Sequence, residues 1–222
     1  MRKEYTVKKC SEPILIDADW DKPDWQGIES VEISLPHWLT QPEHFPYTEV
    51  KLQYDAENIY VIFRVQDRYV RAAATDIHGE VWKDSCVEFF FSPYSGHGDS
   101  YLNLEVNCYG VPLMQHHDGP RMGTRFLDVE QCRKIEVAAS IQGPIEDETT
   151  DPLTWTLEYR LPYEILADHP EFERPAPNAC WRANFYKCAD DSSHPHWVTW
   201  SPIRRQQPGF HRPEYFGTLN FV

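Results

Sequence analysis

Three stretches of this 222-residue chain alternate in a way that gathers hydrogen-bonding side chains onto one surface. In Trp82-Lys83-Asp84-Ser85-Cys86-Val87-Glu88-Phe89-Phe90-Phe91 the apolar residues Val87, Phe89 and Phe91 occupy every second position. Successive strand side chains point to opposite faces, so Asp84, Cys86 and Glu88 share the face turned away from the core. Tyr101-Leu102-Asn103-Leu104-Glu105-Val106-Asn107 repeats the pattern, with Asn103, Glu105 and Asn107 outward in a row. In Trp181-Arg182-Ala183-Asn184-Phe185-Tyr186-Lys187-Cys188, Ala183 and Phe185 face the core and Arg182, Asn184 and Tyr186 the other side. If such strands pair, amides, carboxyls and a phenol form one patch, and each of these groups can exchange hydrogen bonds with sugar hydroxyls. The same pattern also describes a plain solvated polar face. A glycosidase is a further alternative, using Glu88 with Asp84 or Glu105, because carboxyls on neighbouring strands fall ~5–10 Å apart. No hydrolase signature accompanies them, so no catalytic residue is assigned.

The elements that would position this patch are strands. Period-2 patterns or β-rich runs mark residues 31–35, 50–54, 59–65, 85–92, 101–108, 111–115, 135–141, 154–160, 183–188, 197–200 and 217–221. One short helix is expected at 162–166, where Pro162 suits a first helical turn. Loops are expected at 92–100 and 142–152. No repeat and no interdomain linker interrupts the series. The expectation is one domain over residues 1–222: an all-β, antiparallel β-sandwich, jelly-roll-like, with one short helix.

Net charge is −14, from 21 basic and 35 acidic residues. That field repels phosphate backbones and anionic lipid, which argues against nucleic acid and membrane partners and otherwise serves solubility. The six cysteines show no CxxC pair and no metal-type spacing, so free thiols are expected. His194-x-His196 lacks a third ligand at a zinc-type spacing, and no metal residues are assigned. Behind Met1-Arg2-Lys3-Glu4-Tyr5 there is no apolar core of a leader, so the expected location is cytoplasmic as written, and secreted or periplasmic if a leader was removed.

The order and spacing of several motifs resemble those of family 9 carbohydrate-binding modules. Asp17-Ala18-Asp19-Trp20 is similar to the family's opening turn. Asn58-Ile59-Tyr60-Val61 through Val65-Gln66-Asp67 resembles its strand ending in an acid. Trp82 to Phe90 resembles its W-x-x-D-S-V-E-x-F segment, with the same Trp-to-Glu spacing and with Cys86 as the departure. Tyr101 to Asn107, Trp155 to Leu166, and Trp200-Ser201-Pro202 to Phe216-Gly217 extend the likeness over nearly the whole chain. The resemblance implies non-catalytic binding of a mono- or oligosaccharide, neutral and held by an end, in a slot between two aromatic rings. Trp82 matches the first ring, and Phe210 stands where the family has a second Trp. Glu88 matches a residue that hydrogen-bonds sugar hydroxyls, whereas Glu105 stands where well-known relatives carry Arg. Asn103, Asn184, Tyr186 and Gln206 or Gln207 supply further polar contacts in this reading. No cofactor is implied. Structural calcium occurs in some relatives, but no ligand set for it is assignable here. The expected setting is polysaccharide utilisation and carbohydrate catabolism, beside a glycoside hydrolase encoded separately.

Overall fold

The computed structural model describes residues 2–36, 43–94, 99–120, 122–167, 172–205 and 209–222. Its strands are β1 (Glu4–Lys9), β2 (Val31–Glu32), β3 (Leu35–Pro36), β4 (Tyr47–Tyr54), β5 (Asn58–Asp67), β6 (Cys86–Ser92), β7 (Tyr101–Asn107), β8 (Pro112–His117), β9 (Arg125–Phe126), β10 (Glu136–Ala139), β11 (Leu153–Pro162), β12 (Cys180–Ala189), β13 (His196–Thr199) and β14 (Gly217–Phe221). One layer runs β10-β11-β5-β4 and the other β14-β12-β6-β7-β8-β9. Strand β1 joins them: residues 4–7 pair with β14 and residues 8–9 with β4. The all-β sandwich is as expected, and its antiparallel character holds for all pairs but these two. Both pairings of β1 are parallel.

The core lies between the layers. Phe89, Phe91, Leu104 and Phe185 from one sheet meet Phe63, Leu157 and Tyr159 from the other, all of them buried. Phe63 and Phe185 touch across the gap, with ring centroids 6.4 Å apart. Trp200 closes this core, and it leaves no room beside Gly217. A Cβ there would lie 2.6 Å from the Lys3 carbonyl and 2.7 Å from the Trp200 ring.

The expected helix at 162–166 is instead a tight three-residue-per-turn segment, Tyr163–Leu166. The α-helical turn is α1 (Val129–Cys132), started by a capping box in which Asp128 and Gln131 exchange hydrogen bonds. The expected strand at 31–35 breaks into β2 and β3, and Ile33 between them is fully buried.

A second, smaller core covers the outer face of β5 and β11. Trp20, Trp25 and Ile14 pack on Tyr60 and Ile62. Glu158 of β11 secures this cover, accepting hydrogen bonds from the Asp17 and Ala18 backbone at 3.0 and 2.8 Å, from Lys22 at 2.8 Å and from the Trp25 indole at 2.9 Å. Ala18 adopts a left-handed φ of 62°, unfavourable for a residue with a Cβ, where its N–H meets that carboxylate.

Candidate functional site

Register turns the alternating patterns into rows that cross four strands. One row reads Tyr186, Glu88, Glu105, Leu113 across β12, β6, β7 and β8; the next reads Asn184, Phe90, Asn103, Gln115. Cys188 and Cys86 are paired beside the first row. This outer face is not open to solvent over its whole width, because loops rise around it and enclose a cavity of about 510 Å³. Glu88, Phe90, Glu105, Leu113, Gln115 and Cys188 form its floor. Trp82, Asp190, Trp197, Gly209, Phe210 and His211 form its walls.

Each wall has a local cause. Trp82 sits in the tight turn Val81–Lys83. Asp84, at the end of that turn, accepts hydrogen bonds from the Ala73 and Ala74 backbone and from Asn107 Nδ2, each 2.9 Å long. This almost fully buried carboxylate therefore ties the Trp82 turn to β7. The Trp82 carbonyl accepts from Asp190 N at 3.2 Å, and Asp190 accepts from the Trp197 indole at 2.7 Å. Elsewhere in the wall, Phe210 stacks on Tyr186 with centroids 4.1 Å apart and planes inclined by 15°. The Tyr186 hydroxyl donates to the Phe210 carbonyl at 3.1 Å.

The floor is acidic. Glu88 Oε1 accepts from the Cys188 thiol at 3.1 Å, while Glu88 Oε2 has no partner. Burial, then the neighbouring Cys188 and Glu105, hold the Glu88 carboxyl well above the usual carboxylate range. Glu105 is pushed up to about 7, chiefly by burial and against the opposing hydrogen bond from Asn103 at 2.7 Å. Asp190 is raised as well, by burial first. Asn103 is itself oriented by a 2.7 Å bond between its Oδ1 and His117 Nε2, and burial lowers His117 to about 4, which keeps it neutral near pH 7. Burial thus favours the protonated form of Glu88, which can donate one hydrogen bond as well as accept.

Of the residues expected to form the site, Trp82, Glu88, Glu105 and Phe210 line the cavity. Asn103, Asn184 and Tyr186 do not. All three share the expected face but are fully buried behind it. Asn184 spends its amide on Ser201 O and on the Ser201 and Phe185 N–H groups. Asn103 supports Glu105, and Tyr186 backs Phe210. Asp84 is likewise a brace of the Trp82 turn and not a cavity acid. Gln206 and Gln207 lie outside the described residues. The sequence reading missed Phe90 and Cys188, whose parity on β6 and β12 places them on this face. It also missed Trp197, on β13 opposite Cys188, and Asp190, in the turn that follows β12. Among the described residues, Cys86, Glu88 and Cys188 form the one group whose donor atoms could close on a metal, within 4.8 Å of one another. The His194-x-His196 pair is committed elsewhere: His194 stacks on Tyr69 at 3.7 Å, and His196 Nε2, neutral because burial lowers it to about 3, lies 2.7 Å from Lys187 Nζ.

The raised Glu105 carboxyl has a measurable consequence. An unfolded chain ionises it near 4.5, whereas the folded chain keeps the proton to about 7. Between these values the folded state binds more protons, so Glu105 costs stability that grows with rising pH and is complete above about 7. Glu105→Gln should therefore gain on the wild type progressively from about pH 5 to about pH 8, read as the difference in urea midpoints at each pH. The contributions of His117 and His196 are common to both proteins and cancel in that difference. A difference that does not vary with pH would contradict the assignment.

Comparison with known proteins follows the same outline. The sequence profile described as carbohydrate-binding family 9 matches residues 12–221. The crystal structure of a protein from Bacteroides uniformis superposes with a TM-score of 0.89 at 29% identity, covering 100% of both chains. A family 9 carbohydrate-binding module from Caldicellulosiruptor kristjanssonii, solved with glucose, has a TM-score of 0.68 at 16% identity over 99% of this chain and 96% of its own. The complex solved with cellotriose has a TM-score of 0.66 at 16% identity, over 99% and 93%. No curated protein matches the sequence.

Proposed function

The chain belongs to carbohydrate-binding family 9, and from that membership we propose that its cavity holds a neutral sugar, or the end of a neutral oligosaccharide, without cleaving it. The observation that carries this reading is the pairing of aromatic walls with a polar floor in one cavity. Trp82, Trp197 and Phe210 surround Glu88, Glu105 and Gln115. A pyranose presents C–H faces that aromatic rings can cover and hydroxyl edges that carboxyl and amide groups can bond. Phe210 keeps one ring face against Tyr186.

Glucose and cellotriose, the ligands of the Caldicellulosiruptor module, are the first probes, followed by a wider panel of neutral sugars in titration calorimetry. The decisive comparison is a matched pair, glucose against glucuronate or its counterpart for whichever sugar binds. The added carboxylate would enter a cavity in which burial already disfavours the negative charge of Glu88, Glu105 and Asp190, within a chain of net charge −14. The neutral member should bind at least about tenfold more tightly at ~0.15 M salt. Tighter binding of the uronate would reverse the reading.

A glycoside hydrolase using Glu88 and Glu105 is the second reading, because the two residues face each other across β6 and β7 in one cavity. Incubation with the tightest-binding oligosaccharide and analysis of products separates the two. Steady release of shortened sugar, abolished in Glu88→Gln, would make the chain an enzyme.

A further inference from the structure

We propose that Cys86, Cys188 and Glu88 form a binding site for a soft divalent cation of the zinc class in the cavity floor. The inference rests on the geometry of the floor and stands apart from the sugar reading. Cys86 and Cys188 are direct partners across β6 and β12, and Glu88 follows Cys86 by two residues, hence on the same face. Their donor atoms lie within 4.8 Å of one another, with Cys188 Sγ 3.1 Å from Glu88 Oε1. Tetrahedral zinc, with bonds of about 2.3 Å to sulfur and about 2.1 Å to oxygen, sets its donors ~3.6–3.8 Å apart.

Three further features favour a cation here. Glu88 Oε2 is buried at the site without a hydrogen-bond partner. Glu105 and Asp190 add two more carboxyls to the cavity, and among the described residues that line it none is Lys or Arg. Lys187 belongs to the other face of β12, where its ammonium contacts the Cys188 carbonyl, His196 and Asp67. Two thiolates select zinc or cadmium over calcium and magnesium, which prefer oxygen. On binding, each thiol gives its proton to solvent and its sulfur lone pair to the metal, and the Glu88 carboxyl likewise releases its proton to solvent as it ligates. With three protein donors, the fourth position remains for water, as at open zinc sites.

Cadmium reports thiolate ligation directly through sulfur-to-metal charge-transfer absorption in the ultraviolet. Metal-free protein, kept reduced with a phosphine, is titrated with Cd²⁺ in the absence of sugar. One equivalent should saturate the band, Zn²⁺ should displace it, and a large excess of Ca²⁺ should leave it unchanged. Cys86→Ser and Cys188→Ser should each lower the amplitude by about half or more and weaken Cd²⁺ binding by about 100-fold. Cys10→Ser and Cys180→Ser should leave both amplitude and affinity as in the wild type. Glu88→Gln keeps both thiols and tests the third ligand if a serine variant fails to fold; it should bind Cd²⁺ about tenfold or more weakly while retaining the band. The absence of a band in the wild type overturns the site. So does a band that survives undiminished in folded Cys86→Ser and Cys188→Ser, or wild-type affinity in Glu88→Gln.

Discussion

Trp82→Ala should weaken sugar binding about 30-fold or more while the protein stays folded. The side chain is half-buried and projects from a turn whose position Asp84 fixes through three hydrogen bonds at 2.9 Å. The ring is therefore held in place before any ligand arrives, and little ordering entropy opposes stacking on it. Apolar area removed from water contributes about 25 cal/mol per Å². Truncating an aromatic anchor of this kind costs ~2 kcal/mol or more, and each 1.4 kcal/mol is about tenfold in affinity. The turn's backbone bonds from Asp190 and Asp191 do not involve the indole, so the melting temperature should change little. Phe210→Ala is the less clean probe, since Phe210 also packs on Tyr186 within a buried cluster. Titration of Trp82→Ala with the sugar that the wild type binds best decides the matter. Affinity within about threefold of the wild type would remove Trp82 from the site.

Glu158→Ala should be the most destabilising single change, by about 3–5 kcal/mol. The carboxylate is fully buried and serves two backbone amides, the Lys22 ammonium and the Trp25 indole. Its loss leaves Lys22, only 7% exposed, paired with Asp17 alone, and strands buried N–H donors in an apolar setting. It also frees the cover made by Ile14, Trp20 and Trp25, exposing Tyr60 and Ile62 beneath. That layer lies on the β5–β11 side, away from the cavity, so sugar affinity should survive wherever the variant is folded. Denaturant unfolding measures the effect, and a loss below about 1 kcal/mol would show that the cover holds without its anchor.

Alternation along β6, β7 and β12 made the inward and outward faces readable, because a strand side chain has only two ways to point. It could not say what lies above the outward face. Asn103, Asn184 and Tyr186 point as expected, yet neighbouring loops and side chains claim their polar atoms before a ligand could. The row that sets Glu88 opposite Glu105 depends on register, and register is settled by partners distant in the chain. Asp190 reaches the cavity from a turn, where no period exists to betray it, and Trp197 does so because β13 pairs beside β12 and sets it opposite Cys188. The N-terminal stretch carried little strand signal. Tyr5 and Val7 alternate there, but two apolar residues are a weak signal. The pairings that make β1 a strand come from residues about 45 and 214 positions away. The resemblance to a known family located the cavity more closely than any single pattern, through Trp82, Glu88 and Phe210.

Because β1 and β14 lie side by side and parallel, with Glu4 opposite Thr218 and Val7 opposite Phe221, the two terminal strands leave the domain in opposite directions. A pull applied between Glu4 and Phe221 would run along the strand axes, and the backbone bonds linking the pair would be strained together in shear, not peeled apart one at a time. Hydrogen bonds loaded side by side share the force, whereas a zipper meets it one bond at a time. The β1–β14 seam is thus a mechanical clamp. Tethered by its ends between a surface and a polymer under flow, the domain would resist extension first at this seam, on which its unfolding rate under force depends.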